Sequence, residues 1–217
     1  MKFFIDTANL EEIQEAAAMG ILDGVTTNPS LMAKEGITDV NGHYLRICEM
    51  VDGDVSAEVI STDHDGIVEE GRKLAQIHPN ITVKVPMIQE GVKAIRTLAS
   101  EGIKVNCTLI FNPIQALVAA KAGAKYVSPF IGRLDDIGHE GMQLIEEIRT
   151  IFDNYGLDTE ILAASIRHNE HLRSAALAGS DVATMPFEVI SKMIKHPLTD
   201  SGLEKFLADH KKATQTA

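Results

Sequence analysis

Short apolar runs rich in Val, Ile and Phe alternate along this chain with longer amphipathic stretches rich in Ala, Glu and Lys. The short runs fall at residues 2–6, 24–28, 55–60, 81–86, 103–110, 126–130, 160–165 and 181–185. Helical periodicity occupies residues 10–19, 68–77, 91–100, 114–121, 142–155, 170–178 and 187–195 between them. Strict alternation of strand and helix predicts a parallel sheet. Eight such units, at about 27 residues each, predict an α/β fold closed into a (β/α)8 TIM barrel. The rival architecture, an open doubly wound sheet, lacks its Gly-rich dinucleotide turn after the first strand.

The punctuation agrees with the periodicity. Asn9 precedes Leu10-Glu11-Glu12, a capping side chain followed by acidic residues in the first turn. Gly20, Gly102, Gly123 and Gly179 each follow a helical run, where a left-handed cap requires glycine. No linker rich in Pro, Gly or Ser divides the chain, so residues 1–217 read as a single barrel domain with 197–217 as a C-terminal helical extension. Leu198, Leu203, Phe206 and Leu207 continue an apolar stripe past the eighth unit. The barrel wall already has its own helices, so a homo-oligomer is expected, its subunits burying this stripe. The alternative is a tail folded back on its own barrel.

Side chains alternate along a strand, and this says more about chemistry than about fold. In Ile81-Thr82-Val83-Lys84-Val85-Pro86 the apolar set must face the helices, which turns Thr82 and Lys84 inward. The same parity sends Phe3 and Ile5 out and Asp6 in. It sends Val55, Ala57 and Val59 out, with Ser56 and Glu58 in. Val105, Cys107 and Leu109 go out, with Asn106 and Thr108 in. Asn28, Ser128 and Ser165 are expected to face inward near their strand ends. A barrel filled for stability alone is lined with Val, Ile and Leu. Buried polar groups cost about 1–3 kcal/mol each when unpaired, so a lumen this polar needs a reason, and a reaction is the usual one.

Each residue also has a plainer account. A strand lysine can snorkel, Asp6 can cap the next helix, Glu58 can be an ion-pair partner of Lys84, and Asn106 and Thr108 can be satisfied hydrogen-bonders. Each of these explains one position, whereas a lysine amine attacking a ketone explains them together. The carbinolamine then needs a proton from an acid such as Glu58 to expel water. A base such as Asp6 removes the hydroxyl proton that lets the adjacent C–C bond break. Arg133 and Arg167, on loops at the C-terminal mouth, suit a phosphate, with Ser165 adding a hydroxyl donor. Their plainer account is pairing with Asp135 or Asp136.

Composition narrows the classes. With 45% apolar and 24% charged residues the chain is an ordinary globular protein, and it has no apolar run near the ~18 residues of a membrane span. The first residues are too short an apolar stretch for a signal peptide, and Cys48 and Cys107 read as reduced core thiols, so a cytoplasmic location is expected. A net charge of −11 argues against nucleic acid but not against small anions, which answer to the few cations of a pocket. No metal is expected. His168 and His171 lack further ligands at matching spacing, and Asp63-His64-Asp65-Gly66 lacks the closing Glu of a calcium loop, with Leu74 in its place. Asn80 and Asn106 sit in glycosylation patterns but on expected buried strands.

The segments DGVTTNPSL from Asp23, VKVPM from Val83 and SPFIGRLDD from Ser128 closely resemble the transaldolase family, over nearly the whole chain and nearest to its short bacterial subfamily. The resemblance implies Lys84 as the Schiff-base lysine, Asp6 as the carboxylate handling the proton of the cleaved bond, and Glu58 as an acid/base working with a water held by Thr108. It implies Thr26, Asn28, Asn106 and Ser128 as contacts of a dihydroxyacetone unit, and Arg133, Ser165 and Arg167 as the phosphate set. The implied reaction exchanges that unit between sedoheptulose 7-phosphate and glyceraldehyde 3-phosphate, without a cofactor. A sister group of fructose-6-phosphate aldolases typically carries Gln at the Glu58 position and Tyr at that of Phe130, so both residues resemble the transferases. A non-catalytic sugar-phosphate-binding barrel is the alternative from another class. The resemblance further implies decamers of two stacked pentameric rings.

Overall fold

A computed structural model describes residues 1–215. Among them, eight parallel strands close a barrel in chain order, each paired with the next and the eighth with the first. The chain runs β1 (Lys2–Asp6), α1 (Leu10–Ala18), β2 (Gly24–Thr26), α2 (Pro29–Lys34), α3 (Val40–Met50), β3 (Asp54–Glu58) and α4 (His64–Ala75). It continues through β4 (Ile81–Pro86), α5 (Gln89–Ser100), β5 (Val105–Ile110), α6 (Pro113–Ala122), β6 (Tyr126–Pro129), α7 (Ile131–Asp136) and α8 (Gly141–Tyr155). The last units are β7 (Glu160–Ala163), α9 (Asn169–Leu177), β8 (Val182–Met185), α10 (Phe187–Lys192) and α11 (Pro197–Gln215). Residues 216 and 217 of the expected extension lie outside the described residues. Among the described residues no helix is long and apolar enough to cross a membrane.

The core lies in two layers, an outer one that the alternation predicts and an inner one that it does not. The outward set, including Ile5, Val25, Val55, Val83, Cys107 and Ile161, packs under the helices with Ile13, Ile47, Ile95 and Ile148. A smaller apolar cluster of Phe4, Tyr126, Leu162, Ala164 and Val182 fills part of the lumen. Phe4 meets Tyr126 edge to face at 6.1 Å. Gly24 makes room for Phe4, since a Cβ there would come within 2.6 Å of both the ring and the Asp54 carbonyl oxygen. At the N-terminal end, Asp54 accepts bonds from Lys104 and Lys125, each at 2.5 Å, and from the Tyr126 hydroxyl at 2.7 Å. Burial pushes the Asp54 carboxyl up, but these three hydrogen bonds outweigh it and hold the group below its ordinary value.

Asn9 caps α1 by accepting from the amides of Glu11 and Glu12, and Gly20, Gly102, Gly123 and Gly179 all adopt positive φ. Asp63 caps α4 through the Gly66 amide, which is the structural role of the Asp63–Gly66 segment. Cys48 and Cys107 are buried free thiols, pushed up by burial to about 11 and about 12.

Several expectations need correction. The strands end earlier than the apolar runs: Ile60 lies beyond β3 and is 77% exposed. Leu109 does not join the outward core. Its φ of 61° and a register shift between Cys107 and Ile110 break the alternation, and Ile110 takes the buried place. Ser165 lies past the end of β7, where Leu162 and Ala164 occupy the inward cluster. It reaches the lumen because its own φ is 61°. Helices α2, α3 and α7 have no counterpart in the sequence pattern. The largest, α3, buries His43, Tyr44, Ile47 and Cys48, but its Asn41, Gly42 and His43 blur the apolar period.

Candidate active site

The polar side of the lumen is built by lateral register. Glu58, Lys84 and Asn106 stand at one level on β3, β4 and β5, because Glu58 pairs with Lys84 and Lys84 with Asn106 across the sheet. Lys84 is 5% exposed. Its Nζ lies 3.0 Å from Glu58 Oε2 and donates to the Thr27 carbonyl oxygen at 3.0 Å. Asn106 accepts from Ser128 Oγ at 2.7 Å and donates to Ser56 Oγ at 3.2 Å, which fixes its amide. The Thr82 and Thr108 hydroxyls are buried and have no hydrogen-bond partner among the described residues. A buried orphan of this kind costs about 1–3 kcal/mol and calls for an explanation.

Asp6 ends β1 beside Thr26 of β2. Thr26 Oγ1 donates to Asp6 Oδ1 at 2.7 Å. Burial pushes the Asp6 carboxyl above its ordinary value, against the opposing pulls of Lys84, the Thr26 hydrogen bond and Arg133. Asn28 caps α2 through the Leu31 amide, which turns the chain away at the mouth.

The mouth opens into a cavity of about 170 Å³. Its wall carries Lys84 and Asp6, with Thr26, Asn28, Ser128 and Phe130 beside them. The cations Arg133 and Arg167 and the Ser165 hydroxyl complete it. Glu58, Asn106 and Thr108 are not on this wall. Glu58 reaches it through Lys84 and Asn106 through Ser128, while Thr108 lies buried. Thr184 and Ala164 also line the cavity and were not singled out by the sequence pattern. Thr184 shares its parity with Val182 of the apolar cluster, and that alternation was the available signal. A larger groove of about 720 Å³ lies on the outer wall among His64, Lys93, Arg96 and Lys121, far from these converging groups.

The two arginines differ. Arg133 lies with its guanidinium 4.7 Å from the centre of the Phe130 ring. Arg167 pairs with Asp136 at 2.7 Å, so the plainer account holds for it, although both partners are half-exposed. His171 Nδ1 accepts from the Arg167 amide at 3.3 Å, leaving Nε2 to donate toward Asp135 at 3.0 Å. Burial first, then His168, lowers the His171 pKa, consistent with that neutral tautomer. His168 caps α9. Gly132 lets α7 approach closely, because a Cβ would overlap the Ser165 carbonyl oxygen and come within 2.7 Å of Arg167 Nε.

A family model described as Transaldolase/Fructose-6-phosphate aldolase matches residues 3–217. A probable transaldolase of Cytophaga hutchinsonii is 64% identical over 215 residues, covering 98% of this chain and 99% of that protein. A probable transaldolase of Petrotoga mobilis is 58% identical over 212 residues, covering 98% and 96%. A solved thiamine phosphate pyrophosphorylase from Pyrococcus furiosus superposes with a TM-score of 0.60 at 13% identity, covering 85% of each chain, a likeness of fold alone.

Proposed function

The chain belongs to the transaldolase/fructose-6-phosphate aldolase family, and we propose that it moves a dihydroxyacetone unit from sedoheptulose 7-phosphate to glyceraldehyde 3-phosphate. The products are erythrose 4-phosphate and fructose 6-phosphate, and the reaction is reversible. The observation that carries this reading is the opening of a buried lysine amine into the same small cavity as Asp6 and two arginines.

The Lys84 ammonium passes a proton to Glu58, and the free amine attacks the donor ketone to give a carbinolamine. Glu58, 3.0 Å from Nζ, supplies the proton that expels water and leaves an iminium. The unpartnered Thr108 hydroxyl supports a bound water as the carrier of that proton. Asp6 then takes the donor hydroxyl proton. The C–C bond breaks, its electron pair moves to the iminium, and the aldose phosphate leaves a three-carbon enamine on Lys84. The enamine attacks the acceptor aldehyde, Asp6 returns the proton, and hydrolysis frees the lysine. Thr26, Asn28 and Ser128 hold the dihydroxyacetone unit, with Asn106 orienting Ser128 from behind the wall, while Arg133, Ser165 and Arg167 hold the phosphate. The iminium is the electron sink, so no cofactor enters.

The test supplies fructose 6-phosphate with and without erythrose 4-phosphate, together with borohydride trapping. Transfer should require the acceptor, and the three-carbon adduct should map to Lys84. Turnover without acceptor, with free dihydroxyacetone released, would instead make the protein an aldolase. Glu58 and Phe130 favour the transferase.

The same reading treats the chain as one cytoplasmic barrel domain that assembles into decamers of two pentameric rings. The exposed Leu198, Leu203, Phe206 and Leu207 of α11 support an oligomer. Light scattering on a chain truncated after Pro197 should show a smaller particle than the intact chain.

A further inference from the structure

We propose that Thr184 is a positioning residue that keeps the Asp6 carboxylate competent as a base by orienting the Thr26 hydroxyl. This rests on the reading of Asp6 as the group that takes the donor hydroxyl proton.

Thr184 ends the inward row of β8, is 3% exposed, and lines the cavity. Its Oγ1 lies 2.6 Å from Thr26 Oγ1, whose other neighbour is Asp6 Oδ1 at 2.7 Å. A threonine hydroxyl has one proton to give. When Asp6 is ionised it can only accept, so the Thr26 proton points at Asp6. The short contact between the two threonines then requires Thr184 to donate. The result is a directed chain, Thr184 to Thr26 to Asp6, from β8 through β2 to β1. Each donor polarises the next, and the chain ends on the charge it favours.

The charged groups facing Asp6 are Lys84 from β4 and Arg133 from α7, both of which favour the ionised form, while burial opposes it. Thr26 therefore works with the two cations against desolvation, and Thr184 supplies its orientation. Without the Thr184 donor, the Thr26 hydroxyl is free to rotate and the ionised carboxyl is less well held.

The test uses the full-length enzyme and three variants, Thr184→Val, Thr184→Ser and Thr26→Ala. Thr184→Val keeps the shape and removes the donor. It should move the acid limb of the kcat profile upward by about 0.5–1 pH unit, a roughly three- to tenfold loss on that limb. KM should stay within about twofold, and borohydride trapping at Lys84 should remain stoichiometric. Thr184→Ser should restore the parent profile. In a Thr26→Ala background, Thr184→Val should change nothing further, since the link is already cut. A purely structural role would instead lower kcat at every pH, leave the limb in place and add to the Thr26→Ala loss, and that result overturns the proposal. If Thr184→Val fails to fold, Thr184→Ala carries the same comparison. Asp6→Asn separates the two readings: retained C–C cleavage in that variant removes Asp6 as the base. Lost cleavage there with an unmoved limb in Thr184→Val removes only the role of Thr184.

Discussion

Two partly buried carboxylates sit at opposite ends of the same barrel, and the fold treats them in opposite ways. Asp54, at the N-terminal end, receives two lysines and a tyrosine hydroxyl and is held below its ordinary pKa. Asp6, at the C-terminal mouth, receives one hydroxyl and is pushed above its ordinary value by burial. Satisfaction of the first group contributes stability, while incomplete satisfaction of the second leaves a group ready to take a proton. The barrel keeps its well-paired charge at the floor and its under-paired charge at the mouth.

The largest expected effect lies at the mouth. Lys84→Arg should abolish both transfer and borohydride trapping, because a guanidinium stays protonated and cannot attack a ketone. Its melting temperature should change far less than its activity. An adduct mapped to Lys93, Lys104 or Lys121 would break the contrast by placing the nucleophile outside the lumen. Next, Arg133→Ala should raise KM for phosphorylated donors by roughly 10- to 150-fold, as expected for a charge-assisted contact of about 1.5–3 kcal/mol. Donors lacking phosphate should be nearly unaffected, and equal losses for both classes would make Arg133 structural.

The floor predicts the reverse pattern. Asp54→Asn should cost about 1–2 kcal/mol once the partial exposure of its lysines is allowed for, lowering Tm by roughly 2–8 °C at neutral pH. Specific activity of the folded enzyme should be retained. The Asp54 contribution is present above its unfolded pKa and is lost as pH falls through the lower folded value. Asp6 has the opposite slope. Its folded form binds the proton more tightly than the unfolded chain, so its presence costs stability as pH rises through the raised value. Asp6→Asn should therefore melt slightly higher than the parent at neutral pH, with the gain vanishing in acid, while C–C cleavage is lost. Equal pH slopes for the two variants would erase the distinction between the ends. The smallest effect is a ratio. Phe130→Tyr places a phenol beside Arg133 and should raise release of free dihydroxyacetone relative to transfer, measured with and without acceptor.

The alternation that exposed Lys84 is clean because β4 pairs in register on both sides, so Ile81, Val83 and Val85 have one possible face. The same logic misplaces Leu109, because a register shift carries no signal in residue type. Ser165 reaches the cavity for a reason the pattern could not supply, a left-handed backbone past the strand end. Polarity and parity together identify the inward groups but not their depth. Glu58, Asn106 and Thr108 read the same as Lys84 in the sequence, yet they stand behind the cavity wall. Thr184 escaped because its inward neighbour Val182 belongs to the apolar cluster, so no polar run marks β8.

Closure of the barrel by pairing of β8 with β1 has a consequence in time. Thr184 is made 178 residues after Asp6, so the ring that carries the site completes only once β8 has been synthesised. At synthesis rates of about 5–20 residues per second, β1 waits roughly 10–40 s for its second neighbour. During that interval one edge of β1 offers unpaired backbone groups to other chains. Pairing across so long a stretch of sequence also makes closure a slow step in refolding. Recovery of transfer activity after dilution from denaturant should therefore lag behind recovery of helical circular dichroism.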